Sequence, residues 1–232
     1  KRHAAFYEAY FSNWIEGTEF EIDEASRIVF DGEIPPSRPA DAHDVRGTFD
    51  AITSTGFRTQ PPRRFEELED WLSRSHDMIM GGRLEVSPGE YKTRSNRAGS
   101  TVFVQPDLVR GTLAEGFRLR DGLEPGFKRG VYSLFLVSEV HPFTDGNGRV
   151  SRLLMNAELS DADLARVMIP PVYRDEYLSA LRAVTNGSNP EALWRVIDRA
   201  QRWVCSIDWS RSQAALKADI LDTNAMVPPH EA

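Results

Sequence analysis

Between His141 and Arg152 the sequence His-Pro-Phe-Thr-Asp-Gly-Asn-Gly-Arg-Val-Ser-Arg gathers a base, a carboxylate, two glycines and two cations into one run. His141 is the one side chain in it that accepts a proton near neutral pH. Asp145 offers a hard oxygen of the kind Mg²⁺ takes, usually through one or two carboxylates together with phosphate oxygens. Gly146 and Gly148 let backbone come close to an anion, and a helix beginning there would turn its unpaired N–H groups and the positive end of its dipole toward the loop. Arg149 and Arg152, three residues apart, share a helix face and can fork onto phosphate oxygens. The chemistry predicted by this run is phosphate handling.

Two elements must hold the run in place. Upstream, Val131, Tyr132, Leu134, Phe135, Leu136, Val137 and Val140 make an apolar stretch of the length of a buried helix, and Pro142 stops it. His141 therefore sits on the end of a fixed element. Downstream, Val150, Leu153, Leu154 and Ala157 fall at i, i+3, i+4 and i+7, so a second helix starts near Gly148 with its amino end toward the loop.

The run resembles the signature of the Fic family, His-Pro-Phe-x-(Asp/Glu)-Gly-Asn-Gly-Arg-x-x-Arg, and agrees with it at every fixed position from His141 to Arg152. The resemblance implies an all-α, Fic-type helical bundle with a small β-hairpin flap. It also implies transfer of AMP from ATP to a Tyr, Thr or Ser hydroxyl of a target protein. By position, His141 resembles the general base, Asp145 the Mg²⁺ ligand, and Gly146, Asn147 and Gly148 the cradle for the inner phosphates. Arg149 and Arg152 resemble the holders of the outer phosphates, and Phe143 the loop's apolar anchor.

A second stretch, Ser12-Asn13-Trp14-Ile15-Glu16-Gly17, closes a run with helical apolar spacing (Phe6, Tyr7, Tyr10, Phe11, Trp14, Ile15), and Gly17 suits the position just past a helix end. It resembles the family's inhibitory motif, Ser/Thr-x-x-x-Glu-Gly/Asn. The resemblance implies that Ser12 and Glu16 belong to an inhibitory helix, at about 3–17, in which Glu16 pairs with Arg152 and prevents productive binding of the γ-phosphate.

A third stretch reads as a hairpin. Turn residues Ser95, Asn96, Ala98, Gly99 and Ser100 separate two short strand-like runs. Pro88 to Thr93 and Thr101 to Pro106 resemble the entry and exit of the family's flap, which makes Lys92, Thr93, Thr101, Val102 and Phe103 the candidates for docking a target segment. Lys92 stands where arginine is commoner.

The rest bounds the reading. With 232 residues and 41% hydrophobic content the chain can bury one good core. Its net charge of −7 speaks against a general nucleic-acid or membrane surface, and no apolar run has transmembrane length. Near-absence of cysteine suits a reducing, cytoplasmic compartment, with the lone Cys205 expected in a core. His76, in a helical apolar run, reads as a packed histidine, and Asn156 resembles a family position near the nucleoside. Lys1 rather than Met opens the sequence, which leaves room for a preceding segment.

Apolar periodicity predicts helices at about 3–15, 23–31, 41–53, 64–80, 106–118, 127–140, 148–158, 173–185 and 190–207, then a short helix and a loose tail ending in Pro228-Pro229-His230. In sequence order this divides the chain into an N-terminal helical region (1–60), a catalytic core (61–207) and a C-terminal piece (208–232). The family resemblance implies an autoinhibited protein adenylyltransferase using ATP and Mg²⁺ on a protein target, with a homodimer left open. Two alternatives stand beside it: hydrolytic removal of AMP from a modified protein, and a silenced nucleotide-sensing module.

Overall fold

The computed structural model describes residues 2–99 and 101–227; Ser100 of the flap and the predicted tail at Pro228-Pro229-His230 lie outside them. The described residues hold eleven α-helices and one two-stranded sheet, the all-α fold expected. They divide into two compact units, one formed by residues 2–33 with 165–227 and the other by the described residues between 34 and 164. The sequence-order division differs, because helices far apart in the chain share the first unit, and the boundary read at residue 60 falls within the second.

In the first unit, α1 (Arg2–Ile15), α2 (Ile22–Phe30), α9 (Arg174–Gly187), α10 (Glu191–Ser206) and α11 (Gln213–Asp222) pack together. α1 is buried along most of its length, and its rings continue into those of the C-terminal half: Phe11 meets Trp203 edge-on at 5.7 Å, and Tyr7 lies 6.0 Å from Trp209. A buried ion pair, Arg166 Nε to Glu8 Oε2 at 2.7 Å, joins the same two segments. α1 ends as its sequence predicts. Gly17 takes φ +87° and donates its N–H to the Trp14 carbonyl, and Arg174 Nε donates to the carbonyl of Ile15 at 3.0 Å. Cys205 corrects its expectation, being exposed on α10. The buried face there is drawn by Val196, Ile197, Ala200, Trp203 and Val204, and Cys205 falls beside it.

In the second unit, α7 (Phe127–Val140) and α8 (Asn147–Asp161) form the central pair. Around them stand α3 (Pro39–Thr53), the short α4 (Thr55–Thr59), α5 (Phe65–Met80) and α6 (Val109–Asp121). α8 is buried from Asn147 nearly to its end, so its polar residues had to find partners inside. One such pair is Glu158 with Arg120 of α6, joined at 2.8 Å through Nε. The sheet pairs β1 (Arg97–Ala98) with β2 (Thr101–Val102) antiparallel, with Arg97 opposite Val102 and Ala98 opposite Thr101.

Candidate functional site

α7 carries the candidate base out of the core on a fixed end. His141 caps the helix in the left-handed region at φ +52°, its N–H donating to the Val137 carbonyl at 3.0 Å, and Pro142 prevents further winding. Such a φ is uncommon for a residue with a Cβ, and it turns the ring away from the helix's own path. The ring is held twice. Nδ1 lies 3.1 Å from the Ser138 carbonyl, and Phe103 stacks on it with centroids 3.7 Å apart and planes 5° from parallel. A carbonyl can only accept, so Nδ1 carries the proton and Nε2 keeps the lone pair of the neutral ring.

The loop after His141 is pinned from below. Phe143 is buried, and Asn147 clamps it at both ends: the Phe143 N–H donates to Asn147 Oδ1 at 2.8 Å, and Asn147 Nδ2 donates to the Phe143 carbonyl at 2.9 Å. Phe143 stacks on His76 at 3.8 Å, planes 5° apart. His76, fully buried as its apolar run suggested, does more than fill space. The Gly89 N–H donates to its Nδ1 at 2.9 Å, so its Nε2 must carry the proton and donate to the Asp145 carbonyl, 3.0 Å away. Burial pushes its pKa down to about 4, which keeps the ring neutral and this bridge intact.

Gly146 caps α8 at φ +77°. An added Cβ there would lie 2.8 Å from Met80 Cγ and 3.3 Å from the His76 ring, so both the conformation and the space demand glycine. The N–H groups of the first turn of α8, from Asn147, Gly148 and Arg149, then open the helix toward the loop. Asp145 stands at the mouth with its side chain 52% exposed, one oxygen taken by the Gly146 N–H at 2.6 Å and the other 3.8 Å from Arg149. No group of three or more His, Cys, Asp or Glu among the described residues could cage a metal ion. One exposed carboxylate beside an anion cradle nevertheless fits Mg²⁺, which completes its shell from water and phosphate oxygens.

Arg149 and Arg152 share the α8 face expected of them and are both buried. Arg149 donates through Nη1 to Asp44 at 2.7 Å, a partner in α3, 105 positions away, that no local pattern singles out. Asn156 is also buried on α8. Ser12 and Glu16 belong to the first unit and stand at the end of α1, Ser12 buried and Glu16 exposed.

The flap residues split by role. Lys92 is only 4% exposed, so its side chain is not on the docking edge: Nζ donates to Asn96 at 2.7 Å and to the Val140 carbonyl at 3.4 Å, and its N–H donates to the Pro142 carbonyl. Asn96 in turn donates to the Phe143 carbonyl. Lys92 and Asn96 therefore tie the hairpin's base to the loop that bears His141. Burial lowers the Lys92 pKa to about 8. Phe103 supports His141, whereas Thr93 and Val102 are exposed, Val102 to 62%, and Thr101 is partly so.

Residues 56–159 match the Fic/DOC family. A Fido domain-containing protein of Dictyostelium discoideum is 30% identical over 102 residues, 42% of this chain and 71% of that protein. The chain belongs to the Fic/DOC family. Protein adenylyltransferase fic-1 of Caenorhabditis briggsae is 27% identical over 192 residues, which are 80% of this chain but 38% of that relative. The chain thus spans well under half the length of such relatives. Among solved structures, a fragment of Fic-1 from Caenorhabditis elegans shares the fold at a TM-score of 0.70, with 22% identity over 94% of this chain and 63% of that one. The Fic/DOC match takes in the flap, the loop and α8 as far as residue 159; Asp44 lies before it.

No helix among the described residues is long and apolar enough to cross a membrane.

Proposed function

We propose that this chain is a protein adenylyltransferase that moves AMP from ATP to a hydroxyl side chain of a protein target and is restrained by Glu16 acting on Arg152. The observation that carries the reading is the His141 ring, oriented by Ser138 and Phe103 so that Nε2 is its basic nitrogen, beside the amino end of α8. Relatives named protein adenylyltransferases, from Caenorhabditis briggsae and Aedes aegypti, support the same assignment.

In this reading Nε2 of His141 takes the proton of the target hydroxyl as its oxygen attacks the α-phosphorus. The bond to the bridging oxygen breaks, and pyrophosphate departs with the electron pair. The N–H groups at the start of α8 and the guanidinium groups of Arg149 and Arg152 stabilise the charge that builds on the phosphates. Asp145 would hold Mg²⁺, which when bound supplies further positive charge against the triphosphate. Thr101 and Val102 present a strand edge on which an extended target segment adds by main-chain hydrogen bonds.

The test is incubation of the Glu16→Gly chain and its His141→Ala derivative with isotopically labelled ATP and cell lysate, followed by mass spectrometry. AMP adducts on hydroxyl side chains should appear and fall by about 10²–10⁴-fold without His141, the range of general-base catalysis. Equal adducts in both proteins would refute the base, and none in either would refute the transfer.

A further inference from the structure

Arg149 is a cation largely withdrawn from water, being 3% exposed. A buried guanidinium needs a partner, yet a partner that neutralises it would weaken its hold on phosphate. The structure answers with two residues rather than one. Asp44, 1% exposed, accepts from Arg149 Nη1 at 2.7 Å, and Arg83 Nε lies 3.0 and 2.8 Å from the two Asp44 oxygens. Arg83 also donates to Asp41 at 2.7 Å, and Arg38 to Asp41 at 2.9 Å. Cations and carboxylates alternate from Arg149 through Asp44, Arg83 and Asp41 to Arg38, so Asp44 is balanced from its far side, while the exposed Asp145 carboxylate stands 3.8 Å from Arg149 on the loop side.

We infer that Asp44 is a positioning residue for the nucleotide: balanced by Arg83, it fixes the Arg149 fork toward the outer phosphates without cancelling its charge. The inference rests on the nucleotide reading of the loop given above.

The fold is built to put Asp44 there. Gly47, one turn further along α3, faces α5 so closely that an added Cβ would sit 2.4 Å from the Met78 carbonyl oxygen. A Cβ on Gly82, next to Arg83, would sit 2.5 Å from His43 Cβ, beside Asp44. Two glycines thus let α3 approach the end of α5 at backbone distance and bring Asp44 and Arg83 together. Burial works against the charge of Arg83, yet Asp44 and Asp41 hold its pKa above the ordinary value.

The test compares binding of ATP and of AMP by calorimetry to the full chain, wild type and variants. Asp44→Ala should weaken ATP about tenfold, the scale on which residues supporting a binding group act, and leave AMP unchanged, since AMP lacks the outer phosphates. Asp44→Asn, which keeps an acceptor for Arg149, should recover most of that loss. Arg83→Met, at a partly exposed position and safer for folding, should also weaken ATP selectively, because Asp44 then spends its whole charge on Arg149. On an Arg149→Ala background the Asp44 change should add nothing. If ATP and AMP weaken together, or if Arg149→Ala loses ATP while the Asp44 and Arg83 variants keep it, the positioning role is refuted. If Arg149→Ala binds ATP as the wild type does, the nucleotide reading itself falls.

Discussion

A single carbonyl, that of Ser138, decides which nitrogen of His141 can take a proton, and a single N–H, that of Gly89, decides the same for His76. Both rings are thereby oriented, and burial keeps that of His76 neutral. The placement of His141 at a helix end was legible in the sequence because an apolar run precedes it and Pro142 follows. The bridging role of His76 was not, since it depends on Gly89 and Asp145, which come near only through the fold. Its pKa gives a test. With a folded value of about 4 against an ordinary 6.5, the unfolded chain binds the proton more readily between those values. The stability that neutral His76 contributes is therefore complete above about pH 6.5 and is lost as pH falls toward 4, at most about 3 kcal/mol for such a shift. His76→Phe keeps the stack on Phe143 but cannot titrate, and it leaves Gly89 and Asp145 without their partner. Urea unfolding at pH 7 should show the variant less stable, and the gap should narrow steadily down to pH 4.5. A gap independent of pH would mean that His76 is not held neutral.

At the scale of elements, apolar spacing located most helices to within a residue or two, and α6 and the end of α8 to within three, because a buried face sets the pattern. The exceptions have physical causes. α4 is five residues long and carries too little pattern to be seen, and the strands of the flap are two residues each. Lys92 was read as an exposed docking residue; its burial depends on the Val140 and Pro142 carbonyls, nearly fifty positions away. The same is true of the fit between α3 and α5, which rests on a glycine that local propensity would replace. Gly47→Ala should gain up to about 1 kcal/mol in helix propensity. It must also push the Met78 carbonyl aside, and overpacking of a close contact typically costs about 1–3 kcal/mol. The net expectation is a lower unfolding midpoint, with weaker ATP binding as Asp44 is displaced. A midpoint above the wild type's would show that the two helices can separate at no cost.

At the scale of the whole molecule, the first unit is assembled from both ends of the chain, which no local pattern announces: Glu8 meets Arg166, and Phe11 meets Trp203. This discontinuity bears on the proposed regulation. α1, with Glu16 just past its end, is a buried helix whose aromatic side meets Trp203 of α10 and the nearby Trp209. A restraint exerted by Glu16 would then be as stable as the unit that carries it, and removing the carboxylate should relieve it without unfolding anything, since Glu16 is exposed and follows the last helical residue. If Glu16 acts by occupying Arg152, Glu16→Gly should raise ATP-dependent self-labelling well above the wild-type level. The gain must pass through the arginine that the change releases, so Glu16→Gly combined with Arg152→Ala should label no better than Arg152→Ala alone. That non-additive pattern is expected of two residues sharing one interaction. Circular dichroism and the unfolding midpoint of Glu16→Gly should match the wild type. Labelling of Glu16→Gly at the wild-type level would reduce the Ser12–Gly17 stretch to a helix end, whereas a gain that persists without Arg152 would keep Glu16 as an inhibitor but assign it another target.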